Sequence, residues 1–332
     1  MTLSEEKRKR LAALATSSGV IAAVAVDQRS SLRRMLAHCA GLAEASVTDA
    51  QLADFKRAVT RVLSPHASAI LIDPEFGSAA FPHRASGCGL LATYEMDGFE
   101  NPRPHRMLAL LPQLSARRLR DMGADGVKIL LSYTPFDDAA ANDAKRVLIE
   151  RIGHECEAAG LPFFLEPVSY DPGGLDPKSL EYARIKPRMV TEIMREFSRD
   201  VYKVDVLKVE FPVNVSYVAG SPVCSGQAAY STDEALGYFR EADAAARRPY
   251  IYLSAGVSAE HFRASLGLAA NSGARFSGVL CGRATWQDGA PVFMRDGLAA
   301  FEQWLAAEGA GNIEAINALL ECATPWHAWL HS

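Results

Sequence analysis

Asp205-Val206-Leu207-Lys208-Val209-Glu210-Phe211 is a short apolar run with a lysine set inside it. Read at a strand's period of two, it puts Lys208 and Glu210 on one face and Leu207 and Val209 on the other. A strand apolar on both faces belongs to a parallel sheet that is covered on both sides. Seven further runs have the same character: Val20–Val26, Ser68–Ile72, Gly89–Thr93, Gly126–Ser132, Pro162–Val168, Tyr250–Ser254 and Gly278–Gly282.

Helical patterns lie between most of these runs. Thr48, Asp49 and Gln51 open a helix over Thr48–Leu63, and Gly160 stops one over Asp137–Ala159. Ser179–Phe197 is helical, with Pro187 expected to bend or divide it. Thr232–Arg247 has an acidic first turn and stops before Pro249; Ser258 caps Ser258–Ser272, which Gly273 closes. Gly297–Glu308 and Asn312–Cys322 are C-terminal helices. Eight strands alternating with helices predict an α/β fold, a (β/α)8 TIM barrel, better than a doubly wound sheet. The expectation is one domain over residues 1–332, with an extra N-terminal helix in residues 1–16 covering the barrel floor. Around the third run, residues 74–111 are rich in Pro, Gly and His and read as loop, as do residues 212–231.

The 332 residues are 49% hydrophobic and 22% charged, which excludes a disordered or collagen-like chain. The net charge is −4 with no dense basic patch, so nucleic acid is not an expected partner. No apolar run is long enough to span a membrane. The charged stretch Glu5 to Arg10 followed by Leu11-Ala-Ala-Leu14 is too short and mixed for a signal peptide, which predicts a cytoplasmic protein. Cys39, Cys88, Cys156, Cys224, Cys281 and Cys322 form no C-x-x-C pair and read as reduced core thiols.

Barrel chemistry sits at the carboxyl ends of the strands. Lys208 is the sharpest signal there. A lysine in such a strand is dry, and desolvation lowers its pKa and frees a nucleophilic amine; the alternative is a structural ion pair with a barrel carboxylate, Glu210 being one candidate. Lys128, in Gly126-Val-Lys128-Ile-Leu-Leu-Ser132, repeats the pattern. Repulsion between the two lysines is expected to lower the pKa of at least one of them. Lys128 is otherwise a partner for Asp73 or Glu166, or a binder of a substrate anion. Glu166, ending Phe163-Phe-Leu-Glu166 before Pro167, is a general acid/base or a salt-bridge partner. Asp27 stands at the first strand's exit, for chemistry or as a helix cap. Ser254-Ala-Gly256 and Gly282-Arg283, after the last two strands, suit an anion. The eight histidines lie outside these motifs, so no metal site is expected, though His83 and His105 sit in the loop-rich region near the mouth. No G-x-G-x-x-G follows the first strand, which disfavours a dinucleotide.

Ala25-Val-Asp27-Gln28-Arg29, Ile72-Asp73-Pro-Glu75-Phe-Gly77, Phe163-Phe-Leu-Glu166-Pro, Asp205-Val-Leu-Lys208-Val-Glu-Phe-Pro-Val-Asn214, Pro249-Tyr-Ile-Tyr-Leu-Ser254-Ala-Gly-Val-Ser258 and Gly278-Val-Leu-Cys-Gly282-Arg283-Ala-Thr-Trp286 resemble the tagatose 1,6-bisphosphate aldolase family. The resemblance runs from about residue 20 to Thr324-Pro-Trp326. It implies a (β/α)8 barrel and a class I, Schiff-base aldolase that needs neither metal nor cofactor, with a small-molecule sugar phosphate as its partner. It implies Lys208 as the Schiff-base lysine and Glu166 as the acid/base, with Asp27 the lesser candidate for that task. It places Asp27, Gln28 and Lys128 near the substrate, and Ser254, Gly256, Gly282 and Arg283 in phosphate-binding loops. Ser30 departs from the family's usual glycine after Asp-Gln-Arg. An aldolase for 6-deoxy-6-sulfofructose 1-phosphate shares several motifs and is the second reading. A sugar-phosphate-sensing regulatory barrel would need the phosphate loops without Lys208, and a metal-dependent aldolase would lose activity in a chelator. Trp326 and Trp329 are candidates either for a homo-oligomer contact or for packing on their own chain.

Overall fold

The structure, a computed structural model, describes residues 3–98, 104–224 and 226–331. Its strands are β1 Ile21–Ala25, β2 Ala69–Ile72, β3 Gly89–Thr93, β4 Gly126–Ser132, β5 Phe163–Val168, β6 Val206–Val209, β7 Tyr250–Leu253 and β8 Gly278–Cys281. Each pairs in parallel with the next, and β8 closes on β1 with Ile21 opposite Gly278. The eight apolar runs are these strands, unchanged at β3 and β4 and trimmed at the ends elsewhere.

Alternation along each strand divides the core in two. Inward residues such as Ala23, Leu71, Leu91, Phe164, Val206, Ile251 and Leu280 form the inner cluster. Outward residues such as Val24, Ile70, Ile129, Leu165 and Val279 pack beneath the helices in the larger outer cluster. From below, Leu3, Leu11 and Leu14 join the inner cluster and seal the floor. Leu11 belongs to the helix Glu5–Ala13, capped by Ser4. Lys7 on the same helix reaches Asp205 at 2.7 Å.

The helix starts follow local chemistry. Thr48 and Gln51 form a capping box for Asp49–Leu63, as Ser231 and Glu234 do for Thr232–Ala245. Asp138 caps Ala139–Ala159, and Ser258 caps Ala259–Ser272. The helix Leu180–Phe197 runs through Pro187 as one element, so of the two outcomes expected there, bending or division, the division does not occur. Pro187 leaves the Ala183 carbonyl without its N–H partner, and the Tyr230 hydroxyl donates there instead.

Several elements go beyond the sequence reading. Ser30 opens a helix, Ser30–Ala40, and Ala116–Asp121 is another. Within 74–111, Pro74–Gly77 and Ser78–His83 are helical turns, while residues 99–103 lie outside the described residues. Residues 212–231 are mostly loop with one turn, Val215–Tyr217, and Ser225 lies outside the described residues. The C-terminal helix Leu298–Trp304 continues through a wide turn, Leu305–Gly309, into Ala310–Asn317.

The C-terminal aromatics pack on their own chain. Trp326 joins the inner cluster, and Trp329 packs edge-on against Tyr250 with Arg275 over its ring. All six cysteines are free, but only Cys88, Cys156 and Cys281 are buried. Cys322 is exposed, and Cys39 and Cys224 are half-buried, so the reading of six core thiols holds for three. Among the described residues no helix is long and apolar enough to cross a membrane.

Candidate active site

The loop after β1 is held from behind by a lysine on the helix Asp49–Leu63. Lys56, fully buried, donates to the carbonyls of Val26 and Gln28 at 2.7 Å each and pairs with Asp73. Asp73 in turn caps the turn after β2 by accepting from the Phe76 N–H at 2.8 Å. One side chain therefore ties the exits of β1 and β2 together, and that fixes Asp27 and Gln28 at the mouth.

Five strands deliver the charged centre. Lys208 of β6 lies 2.7 Å from Glu166 of β5, and Lys128 of β4 lies 2.6 Å from the other oxygen of the same carboxylate. Lys128 also reaches Asp27 at 3.0 Å and Glu95, beyond β3, at 3.1 Å. Glu95 continues the network to Arg29, whose guanidinium donates to the Glu95 carbonyl at 2.8 Å and meets Glu75 at 2.5 Å. The side chains of Lys208 and Lys128 are 6% and 1% exposed, so these charges face each other with little water between them.

The electrostatics follow from that count of charges. Burial works against the Asp27 carboxylate, but Lys128 and Lys208 outweigh it and hold its pKa well below the usual carboxylate range. Burial likewise opposes the charge on Lys128, but Asp27, Glu166 and Glu95 outweigh it, and its pKa is raised. The expected lowering by lysine–lysine repulsion is thus reversed at Lys128, because three carboxylates surround it.

On the side of the barrel facing β3 and β4, the loops after β7 and β8 lie against each other. The Gly282 N–H approaches the Ser254 hydroxyl at 3.4 Å. Ala255 and Gly256 both have positive φ, 48° and 71°, and a Cβ on Gly256 would overlap the Arg283 guanidinium. Glycine is therefore required there for the backbone to fold against Arg283. Burial lowers the Arg283 pKa, partly opposed by Asp27 and Glu166.

Asp27, Gln28, Lys128, Glu166, Lys208, Ser254, Gly256, Gly282 and Arg283 all line one cavity of about 630 Å³ at the carboxyl ends of the strands. The Gln28 amide oxygen is buried with no hydrogen-bond partner among the described residues, an acceptor open to a ligand hydroxyl. Some of the expected pairings form and others do not. Lys208 pairs with Glu166, whereas Glu210 accepts from the Ser169 N–H at 2.7 Å and meets Lys186 at 3.3 Å. Of the two partners expected for Lys128, Glu166 is present and Asp73 is taken by Lys56. Asp27 does not cap the next helix, which begins without a side-chain cap after Arg29. Ser30 donates its N–H to Asp97 at 2.8 Å.

Glu95 and Arg29 went unmarked as site residues. The signal for Glu95 was present, since it stands two residues past the third apolar run. Of the two rim histidines, His83 is exposed and does not line the cavity, and His105 lies 3.6 Å from Asp137. Among the described residues no group of three or more His, Cys, Asp or Glu side chains is arranged to hold a metal ion.

The fold is a closed parallel barrel, with two buried lysines sharing one glutamate in a cavity at its mouth, where barrel proteins hold small-molecule sites. Known proteins narrow the class. A family model described as DeoC/LacD family aldolase matches residues 21–288. Tagatose 1,6-diphosphate aldolase 2 of Enterococcus faecalis is 45% identical over 329 residues, covering 99% of this chain and 98% of its own. Tagatose 1,6-diphosphate aldolase of Staphylococcus epidermidis is 44% identical, covering 98% of this chain and 99% of its own. Among solved structures, fructose-bisphosphate aldolase from Plasmodium falciparum has a TM-score of 0.68 at 14% identity, covering 95% of this chain and 96% of its own, a likeness of fold. The chain belongs to the DeoC/LacD family of aldolases.

Proposed function

We propose that the protein is an aldehyde-lyase that reversibly cleaves tagatose 1,6-bisphosphate to dihydroxyacetone phosphate and glyceraldehyde 3-phosphate through a Schiff base on Lys208. The observation that carries the mechanism is Glu166 bridging Lys208 at 2.7 Å and Lys128 at 2.6 Å inside one cavity. The relatives' names carry the substrate.

Glu166 takes a proton from Lys208, and the free amine attacks the C2 carbonyl. Glu166 returns that proton to the carbinolamine hydroxyl, which leaves as water and gives an iminium with the carboxylate restored. Glu166 then removes the C4 hydroxyl proton, and Asp27 is the lesser candidate for that step. The C3–C4 electron pair moves into the iminium as the bond breaks, leaving an enamine and releasing glyceraldehyde 3-phosphate. The same acid gives the proton it took to C3, regenerating the iminium, and water hydrolyses it to dihydroxyacetone phosphate and free Lys208. Lys128 remains a cation among its three carboxylates and orients Glu166 and Asp27. Ser254, Gly256, Gly282 and Arg283 hold the phosphate next to C2, which brings that carbon to the amine. Gln28 accepts from a substrate hydroxyl.

The reaction so written needs no metal and no cofactor. The whole chain, residues 1–332, acts as one domain, and the six free cysteines fit a reducing cytoplasm. Purified enzyme is expected to cleave tagatose 1,6-bisphosphate at an unchanged rate in a chelator. Faster turnover of 6-deoxy-6-sulfofructose 1-phosphate would overturn the substrate, and loss of activity in the chelator would overturn the chemistry.

A further inference from the structure

The cavity has a cationic residue at each of two ends, and the chemistry above uses only the end at β7 and β8. At the other end is Arg106. The strand order puts β4 and β5 across the barrel from β8 and β1. Arg106 lies on that side, its guanidinium 4.7 Å from the centre of the Tyr170 ring, just past β5. It lines the same cavity as Lys208 and Arg283.

Its backbone is strained. His105 and Arg106 have φ of 52° and 53°, two left-handed residues in succession, and neither is glycine. Such strain persists where surrounding structure enforces it, and it collects at ligand sites. Here the surrounding structure is a polar cluster at the rim, buried at Lys145 and Tyr170 and half exposed at His105. The Tyr170 hydroxyl donates to Asp137 and accepts from Lys145 at 2.8 Å. Lys145 lies 3.4 Å from Asp137, and His105 lies 3.6 Å from its other oxygen. Asp137 is thereby engaged by Lys145, Tyr170 and His105. Asp171 and Asp176 also line the cavity, but among the described residues no carboxylate pairs with Arg106. A guanidinium lying on an aromatic face keeps its edge donors directed outward, in the fork that matches a phosphate.

We propose that Arg106, seated on Tyr170, binds the phosphate on the aldehyde half of the substrate, across the mouth from Ser254 and Arg283. The proposal rests on the aldolase reading. A ketose bisphosphate with C2 at Lys208 carries one phosphate beside that carbon and the other at the far end of its chain, beyond the bond that breaks. A cation at each end of one cavity suits that ligand and distinguishes a phosphorylated aldehyde from a neutral one.

The test runs the reaction in the condensation direction, with dihydroxyacetone phosphate and either glyceraldehyde 3-phosphate or glyceraldehyde. Losing charge-assisted hydrogen bonds to a phosphate is expected to reduce the preference for the phosphorylated aldehyde about 10- to 100-fold in Arg106→Gln. Arg106→Lys keeps the charge without the fork and falls between. An unchanged preference, or equal losses on both aldehydes, would overturn the proposal. Borohydride trapping with dihydroxyacetone phosphate alone, on the same preparations, separates the two readings. A Lys208 adduct in wild type and both variants leaves the aldolase reading standing while the preference judges Arg106. An adduct lost only in Arg106→Gln would put the arginine at the ketone half and overturn the proposal. No adduct in the wild type would overturn the aldolase reading, and this proposal with it.

Discussion

Both ends of the barrel bury a lysine against an aspartate, and the two aspartates shift in opposite directions. At the floor, Lys7 meets Asp205 at 2.7 Å, and Asp205 also accepts from the Phe163 N–H at 2.8 Å. Burial dominates there and raises the Asp205 pKa, despite Lys7. At the mouth, burial opposes the Asp27 carboxylate as well, yet Lys128 and Lys208 overcome it. The floor pair is private and sits beneath the leucines of the N-terminal helix. The mouth lysines share Glu166 and open on a cavity of about 630 Å³. Lys56 and Asp73, both fully buried, are a second private pair, and they serve to hold a loop. A buried lysine by itself therefore marks nothing. What marks the site is a carboxylate shared between two lysines and reached from a cavity.

The sharpest way to break that contrast is to remove each lysine in turn. Lys128→Met leaves Asp27, Glu95 and Glu166 without their common cation. Stripping one partner from a buried pair costs about 3–5 kcal/mol, and the variant is also expected to lose most turnover per folded molecule. Lys7→Met removes a private partner whose aspartate is already inclined to take up a proton. It is expected to lower stability while the folded fraction keeps its kcat. Urea unfolding, with kcat measured on the native fraction, checks both. A Lys7→Met enzyme as inactive as Lys128→Met would erase the distinction.

A smaller effect lies in the pH dependence of stability, where the two aspartates have opposite signs. The Asp27 pKa is depressed, so its contribution is present above the ordinary carboxylate range and is lost as pH falls toward its folded value. The Asp205 pKa is raised, so its contribution is present below that range and is lost as pH rises through its folded value. Relative to wild type, Asp27→Asn should lose less stability on acidification, and Asp205→Asn should lose more. Denaturant unfolding across the acid range reads both slopes, and slopes of the same sign would contradict the assignment.

The strands were legible because strands buried on both faces read as near-continuous apolar runs, and β4 is Gly126–Ser132 in both readings. The lysines and carboxylates were legible because charge inside such runs stands out. The pairing was not, because barrel closure sets it: Lys128 meets Asp27 across 101 residues of chain. Pro187 looked like a break because the Tyr230 hydroxyl that repairs it lies 47 residues beyond Ala183. Ser30–Ala40 carries only a short helical signal, Leu32 and Leu36 at helical spacing and a Gly41 that ends it in a left-handed turn, with no side-chain cap at its start. Arg106 belongs to no strand end, and only the folded rim brings it over Tyr170.

The central claim is that the amine of Lys208 attacks the substrate's ketone. Reduction with borohydride in the presence of dihydroxyacetone phosphate, followed by peptide mass spectrometry, tests it directly. The account predicts one stable adduct, on Lys208, absent from Lys208→Ala and absent without the ketone. An adduct on Lys128 instead, or turnover with no adduct at all, would contradict it.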